Sequence, residues 1–469
     1  MKNGHAALLD KTIKGGNKIE ATDLLRGFDM IKYAGKCCSY FVTSPNRLKM
    51  DASSVPFDVV IVGAGSGGIG AAIGAAKMKA QVLLLDRAPA PGGVVASSWV
   101  HNWEPTCGNS PLTRELWSRM REMPGGAADM PFTTSRNGSD GKRNPTMPFE
   151  LWAYRKAIQD IFAEFPRLEF WGNTYCLGAE TSGRRLQALR VWRDGTPLMV
   201  KACSFIDSTG MLSLGRAVGC QAMLGTDSRS DFHESPAPET ADRHNLNLVN
   251  WIYRVRPGCT PNVSLREKDI PEHARINALF MVELPCGDIL VNICGHGRYS
   301  PEIPGDRERA DREEFSRAWL SYCWQLVSGA HPDWSLVGFA PELGIRESYR
   351  LRARKILTLN DIMQHSLEAP ERFIAKTDHP VDVHGTDLET RLGSIPYGIP
   401  YETTLPQEYD NLWIASRGIG ATHIASGSCR LSRTMLTLGE AVGKAAAIAA
   451  ANGMDSGDIR PMDIADFEP

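Results

Sequence analysis

No run of apolar residues in this chain is long enough to span a bilayer. The longest, around Ala445–Ala451, is short and alanine-rich, so no stable membrane insertion is expected. Neither charge is in surplus. Lysine and arginine number 52 against 54 aspartates and glutamates, which leaves no basic stripe for nucleic acid and no polybasic segment for a lipid surface. The 11 cysteines form no CxxC pair and no zinc spacing, and His233, His244, His296 and His331 stand isolated, so no metal site is expected. A GxSxG nucleophile elbow is missing, which argues against hydrolase chemistry. There is no fixed-period repeat, no signal-peptide apolar core and no twin arginine, so a cytoplasmic protein with reduced thiols is expected. The composition is globular, with 42% apolar and 23% charged residues over 469 positions. That length supports two or three structural units around a large core.

Against these absences, residues 57–86 stand out: FDVVIVGAGSGGIGAAIGAAKMKAQVLLLD. They read as a buried strand, a glycine turn, a small-residue helix, a second strand and an acid. Gly63 permits the tight turn, and Gly65 lets backbone approach a pyrophosphate. Gly68 and Ala72 let the helix lie close on a sheet, with its N-terminal N–H groups facing the phosphates. Asp86 is placed to accept hydrogen bonds from a ribose diol. The full strand–turn–helix–strand–acid unit predicts a bound dinucleotide, FAD or NAD.

Helices are expected over Leu112–Met123, over 148–165 and, with mixed charge, over 306–328. A hairpin is expected at Leu186–Trp192 with Asp194-Gly195 as its turn, and further strands at Val59–Val62, Val82–Leu85, 248–256, 278–284, 289–294 and Asn411–Ala415. The last strand leads through a Gly/Ser-rich turn to a long helix over Ser428–Ala451. The fold class is therefore α/β, with a discontinuous Rossmann-type FAD-binding domain, an α+β substrate or cap domain and an N-terminal helical extension. The expected boundaries are 1–55 for the extension, 56–220 with 396–455 for the FAD-binding domain, 221–395 for the cap and 456–469 for a tail. Within the first domain, about 100–148 reads as a loop-rich insertion. In the extension, Leu24, Leu25, Phe28 and Ile31 fall on one helical face, which suits docking on its own domain or, through residues 1–50, on a second copy.

Three features choose FAD over NAD. Gly92-Gly93 offers a second glycine turn able to track an extended cofactor. Asp207-Ser208-Thr209-Gly210 ends a strand beside the adenine or pyrophosphate. The closing segment NLWIASRGIGATHIASGSCRLSRTMLTLGEAVGKAAA contains Gly418, Gly420 and Gly427 and a helix whose N-terminus can stabilise negative charge on a reduced flavin. Together these segments resemble the FAD-dependent oxidoreductase family of the glutathione-reductase-like flavoproteins. Leu343–Ser348 is similar to the family's GxRES-type stretch, and Leu359-Asn360-Asp361, Asp382–Gly385 and Ile395–Pro400 fall in the family's order. The resemblance covers roughly 57–452 and implies bound FAD, a two-domain architecture and a small-molecule substrate. Met211 stands where an acid is common, Asp86 where Glu is more usual, and residues 1–50 are additional.

The residues expected to hold the cofactor are Gly63, Gly65, Ser66, Gly67, Gly68, Asp86, Arg87, Gly92, Gly93 and Val94 from the front of the chain. Ser208, Thr209 and Gly210 come from the middle, and Arg417, Gly418, Ser428 and Arg430 from the end. Candidates for chemistry are His423 as a base or flavin hydrogen-bond partner, Arg430 as a carboxylate or flavin contact, Arg346 with Glu347 to orient substrate, and His384 with Asp382 nearby. Tyr397 or Tyr401 and Trp99, His101 and Trp103 are further candidates for the cavity wall. Covalent attachment of the flavin through His101 or Cys107 is a minor alternative. The leading expectation is oxidation of C–OH or C–N, or C–C desaturation, by hydride transfer to flavin N5, with oxygen or another acceptor regenerating FAD. An NAD(P)H-dependent flavin reductase and a flavin-holding interaction protein are the alternatives.

Overall fold

The computed structural model describes residues 56–466 apart from 130–132, 138–141, 259–265, 278, 294–296, 365–369 and 385–394. The expected N-terminal arm, 1–55, lies outside the described residues. Runs of Val, Ile and Leu bounded by glycine form β1 (Phe57–Val62) and β2 (Val82–Leu85), joined by α1 (Ser66–Lys77). Further on come α2 (Leu151–Ala163), β3 (Leu168–Trp171), β4 (Thr174–Ser182), β5 (Arg185–Arg193) and the long β6 (Thr196–Asp207). The second half of the chain supplies β7 (Ile252–Arg256), β8 (Phe280–Glu283), β9 (Ile289–Asn292), α3 (Asp306–Val327) and β10 (Ser335–Phe339). Near the end come β11 (Leu412–Ile414) and α4 (Ser432–Asn452).

Two sheets organise these elements. In the first, β3, β2, β1, β6 and β11 run parallel in that order, with Val59 opposite Val82 on one side and Ser204 on the other. Strand β6 is long enough to serve two roles. Its last residues join the parallel sheet, while Thr196–Lys201 pair antiparallel with β5, which pairs in turn with β4. The hairpin turn between β5 and β6 is Asp194-Gly195, where both residues take positive φ. Because β11 aligns against the end of β6, with Ile414 beside Asp207, the end of the chain completes a sheet begun at residue 57. The parallel strands point their carboxyl ends at one edge, where a crevice forms.

The second sheet is antiparallel and runs β10, β7, β9, β8, Thr133–Asn137, Lys142–Pro148 and Asn102–Trp103. The stretch 100–148, expected to be loop-rich, thus contributes three strands to this sheet as well as the helix Pro111–Glu122. Single-chain periodicity misses them because they carry little apolar alternation, and only Thr133–Asn137 joins the hairpin to the rest of the sheet, through β8. Helix α3 covers the sheet with Ala310, Ala318, Tyr322 and Cys323, while Arg307–Asp311 and Arg309–Glu313 pair one turn apart on its surface.

A second difference concerns the closing helix. In place of one helix over Ser428–Ala451 there are two, His423–Cys429 and α4, separated at Arg430 and Leu431. Leu431 is extended (φ −65°, ψ 148°), so a fresh helix N-terminus opens at Ser432. Helices α1 and α4 then cross at backbone distance. A Cβ on Gly439 would sit 2.1 Å from the Gly67 carbonyl oxygen, and one on Gly443 2.0 Å from that of Ala71. From the other side, a Cβ on Gly70 would meet Leu436 O at 2.3 Å and one on Gly74 would meet Glu440 O at 2.1 Å. Beside this contact Glu440 is buried and bound to Lys77 Nζ at 2.8 Å. No helix among the described residues is long and apolar enough to cross a membrane. Gly443→Val is expected to destabilise the protein by roughly 3 kcal/mol or more, because overpacking here forces two backbones apart. Thermal denaturation followed by circular dichroism checks this; an unchanged midpoint would contradict it.

Candidate functional site

Two cavities meet where the parallel strands end. The first, about 440 Å³, runs along the β1–α1 turn, past the ends of β2 and β6, to Ser416 and Arg417 after β11. The second, about 390 Å³, lies between that edge and the antiparallel sheet. They share Val94, Ser98, Ile345, Arg417, Arg430 and Ser432.

Glycines in the first cavity have different reasons to be glycine. A Cβ on Gly67 would meet Ala415 O at 1.7 Å, and one on Gly68 would meet Gly63 O at 1.8 Å. The fold itself forbids side chains there. Gly65 is different. It has extended backbone (φ −77°, ψ −172°), and a Cβ would meet nothing nearer than Gly93 Cα at 3.9 Å. Nothing among the described residues requires glycine at position 65, so the open space in front of it fits the close approach of a ligand. The helix ends agree with this. Neither α1 nor α4 has a side-chain N-cap or an acid in its first turn, so their leading N–H groups face the cavity wall without a capping acceptor. The Ser66 hydroxyl and the Nε atoms of Arg417 and Arg430 are likewise buried without a hydrogen-bond partner. Burial and the neighbouring Arg430 push the Arg417 guanidinium down to about 10. Unpaired buried donors and a buried cation are costly, and an elongated anionic nucleotide would relieve both. These residues fit FAD.

The acids at the strand ends are already engaged. Asp86 Oδ2 accepts from Ala64 N at 2.6 Å and Oδ1 from Ala88 N at 2.7 Å, so this carboxylate also braces the glycine turn. Asp207 is buried, which raises its pKa, and it accepts from Thr209 N and Oγ1 and from Gly215 N. Ser208, Thr209, Gly210 and Met211 line the same wall. Arg87 also lines the cavity and reaches across to Glu342 at 3.0 Å. Of the remaining expected contacts, Gly63, Gly93 and Val94 line the cavity, whereas Gly68, within α1, and Gly92 and Gly418, in turns, do not line it.

Three expected site residues lie elsewhere. His423 is buried in an ion network, with Nδ1 2.9 Å from Glu347, its backbone N–H donating to Asp227, and Arg350 bridging Asp227 (3.0 Å) and Glu347 (3.3 Å). Tyr397 is fully buried, its hydroxyl 2.6 Å from Ser428 Oγ, and Ser428 donates in turn to His379 O at 2.5 Å. None of the three lines either cavity. A sequence places a glycine-flanked histidine and a helix-end serine near a cofactor; it does not show which way they turn. Tyr401 is also buried, held between Trp413 Nε1 and Ser456 O. His101 and Cys107 line neither cavity. Burial and Arg254 hold the His101 imidazole down at about 3, and burial pushes the Cys107 thiol up to about 11.

The second cavity gathers Arg346, His384, Arg430, Trp99 and Trp103 from the expected set. His384 Nε2 lies 3.1 Å from Asp382 Oδ1, and Arg430 Nη2 holds Asp382 Oδ2 at 2.7 Å. Burial acts to raise the Asp382 pKa, but His384 and Arg430 outweigh it and hold the carboxyl far below its ordinary range. Sequence reading missed a second pair. His379 Nε2 lies 2.7 Å from Glu104 Oε2, and both residues line the cavity. Nothing local marks Glu104, which sits in the stretch expected to be loop, and only the fold brings it to His379.

The parallel sheet, its glycine turn and the returning helix define a dinucleotide-binding fold with a second, antiparallel sheet. The chain belongs to the FAD dependent oxidoreductase family, whose model matches residues 58–467, and FAD is its cofactor. No curated protein matches the chain. Among solved structures it is similar to the flavin-dependent brominase Bmp2 (13% identity, TM-score 0.48, covering 87% of this chain and 82% of that one). It is also similar to a geranylgeranyl bacteriochlorophyll reductase-like protein from Thermoplasma acidophilum (13%, 0.47, 85% and 79%). The aromatic hydroxylase CabE is matched over 64% of this chain at 14% identity and a TM-score of 0.37, and the chain spans about half, 54%, of its length.

Two predictions follow from this geometry. Gly65→Val is expected to fold with a loss of only about 1 kcal/mol from a poorer N-cap yet purify without flavin, whereas Gly67→Val fails to fold. Absorbance and circular dichroism of the two variants check this; flavin retained at full occupancy in Gly65→Val would contradict it. The second concerns His379 and Glu104. Burial acts to lower the His379 pKa, but Glu104 outweighs it and raises it; burial acts to raise that of Glu104, and His379 outweighs it and lowers it. A raised histidine contributes stability that is complete below its unfolded pKa of about 6.5 and fades as pH rises through the folded value. The depressed carboxyl contributes above about 4.3 and fades as pH falls. Urea denaturation should therefore show the widest gap between the wild type and Glu104→Gln at roughly pH 4.5–6.5, narrowing at higher pH. A gap that widened with rising pH would contradict the pairing.

Proposed function

We propose that this FAD-dependent oxidoreductase oxidises a small organic substrate held in the cavity beneath the antiparallel sheet. The observation that carries the reading is the shared wall of the two cavities, which lets a nucleotide along the glycine turn and a substrate under the cap meet at Ser98, Ile345, Arg417, Arg430 and Ser432. Bound there, the flavin would supply a two-electron acceptor at N5. The chain's own residues would do the rest. Gly65, Ser66 and the uncapped start of α1 would receive the pyrophosphate, Asp86 the ribose, and Arg417 with the start of α4 the negative charge of the reduced ring. His384, oriented by Asp382, is the group suited to take a proton from a substrate hydroxyl or amine. Arg430 keeps Asp382 ionised and in place, so it acts through the pair. Arg346, tied to Leu248 O at 2.8 Å, would orient the substrate. The cap sheet would cover the reacting atoms and exclude water.

The test begins with the purified protein, which should be yellow. Anaerobic mixing with candidate alcohols, amines and saturated acids should bleach the flavin with one of them. His384→Gln should keep the flavin and slow that bleaching roughly 100-fold or more. Prompt bleaching by NADPH together with indifference to every organic donor would instead support a reductase. Unchanged bleaching in His384→Gln would remove that residue from the proton transfer.

A further inference from the structure

The roof of the second cavity is a patch of pleated sheet with a regular register. Ile252, Asn292 and Phe280 lie in one row across β7, β9 and β8, and Leu290 and Val282 lie in the next. All five line the cavity, and four of them are apolar. Asn250 donates to Asn292 Oδ1 at 2.9 Å, so the amides in this roof are turned to one another. Trp99 and Val100 extend the apolar surface.

The remaining wall has the opposite character. Arg346, Arg417, Arg430 and Arg433 face two carboxylates, Glu104 and Asp382. Both carboxylates are engaged by other groups on the same wall, Glu104 by His379 and Asp382 by Arg430 and His384. Arg433 is fixed by the carbonyls of Glu104 and Thr106 and by Asn109, with no carboxylate in contact. Arg417 makes no hydrogen bond or ion pair among the described residues and has a buried Nε. Four guanidiniums thus line one side of the cavity against two carboxylates, with Glu314, Glu347 and Asp378 acting on Arg346, Arg417 and Arg433 from outside the lining. A wall lined by more guanidiniums than carboxylates favours an anionic occupant, and the opposite wall is mostly apolar, with Asn250 and Asn292 as its polar groups.

From this two-faced wall we infer that the substrate is an amphiphilic organic acid, its anionic head toward Arg346 and Arg417 and its hydrocarbon or aryl body against the roof of Ile252, Phe280, Val282 and Leu290. The inference rests on the assignment of this cavity as the substrate site, and it deepens that reading by naming the class. Arg346 lines this cavity and not the nucleotide cavity, which separates its contribution from flavin binding.

Isothermal titration calorimetry of the holoprotein tests it without turnover, with flavin content measured separately by absorbance. The probes are 4-phenylbutyrate, its amide, 4-phenylbutylamine, acetate and a phenylalkyl phosphate. The acid should bind at least about tenfold more tightly than both the amide and acetate, and the amine should not bind. Binding of the phosphate in place of the carboxylate keeps the anionic class and reassigns the head group. Arg346→Gln should keep its flavin and lose the preference for acid over amide, and Arg346→Lys should restore part of it. Phe280→Ala should weaken acid and amide together. Equal affinity for acid and amide, tighter binding of the amine, or an unchanged preference in a folded, yellow Arg346→Gln would overturn the proposal. A colourless protein that still prefers the acid would leave this inference standing and sink the oxidoreductase reading of the cavity.

Discussion

The structure depends on two helices far apart in the sequence meeting with no side chains between them. Helix α1 follows the first strand and α4 closes the chain, and their glycines let carbonyl and Cα surfaces touch. Such contacts gain dispersion over a long, smooth interface and tolerate no added carbon. They also set the site. The N-termini of both helices are drawn to the same edge of the parallel sheet, and the break at Arg430-Leu431 turns the start of α4 into the crevice instead of letting an unbroken helix pass it. The cavity exists because the crossing is tight and the closing helix is interrupted at the right residue.

A second constraint ties the cap region to this frame. Asp227, Glu347, Arg350 and His423 form a buried network, and Glu347 also accepts from Asn247 N, whose side chain holds Asp382 O and His384 N. Burial acts to raise the Glu347 pKa, but His423 and Arg350 outweigh it and keep the carboxyl below its ordinary value. Buried ion groups of this kind add little net stability over well-packed apolar residues, yet removing one partner strands the others. Their effect is to specify geometry. The same chain of contacts that anchors the start of the helix His423–Cys429 fixes the backbone at Asp382 and His384. His423 is therefore a brace for the groups that line the second cavity.

Much of the nucleotide half could be read from sequence because its determinants are local. The strand–glycine–helix–strand unit at 57–86, the Asp194-Gly195 hairpin and the last strand each carry their signal within a few residues, and pairing of β11 with β6 makes the discontinuous sheet they implied. The half built on the antiparallel sheet was less legible. Thr133–Asn137 pairs with β8 and Lys142–Pro148 with Thr133–Asn137 and Asn102–Trp103, and the helix break at Arg430-Leu431 has no proline or glycine at either position to announce it. The site divides along the same line. Backbone-defined features such as the open space at Gly65 were visible. Contacts that depend on which way a side chain turns were not, so Tyr397, Ser428 and His423 proved internal while Glu104 and His379 went unmarked.

Arg417 and Arg430 belong to both cavities, and this has a thermodynamic consequence. A guanidinium whose field reaches two binding spaces makes their occupancies interdependent. Whatever adds or removes negative charge on the nucleotide side changes the affinity on the other side, and by linkage the reverse holds with equal magnitude. The oxidised and reduced forms of the enzyme would then hold the same organic molecule with different strength, so that the electronic state of one chamber helps to decide when the other empties.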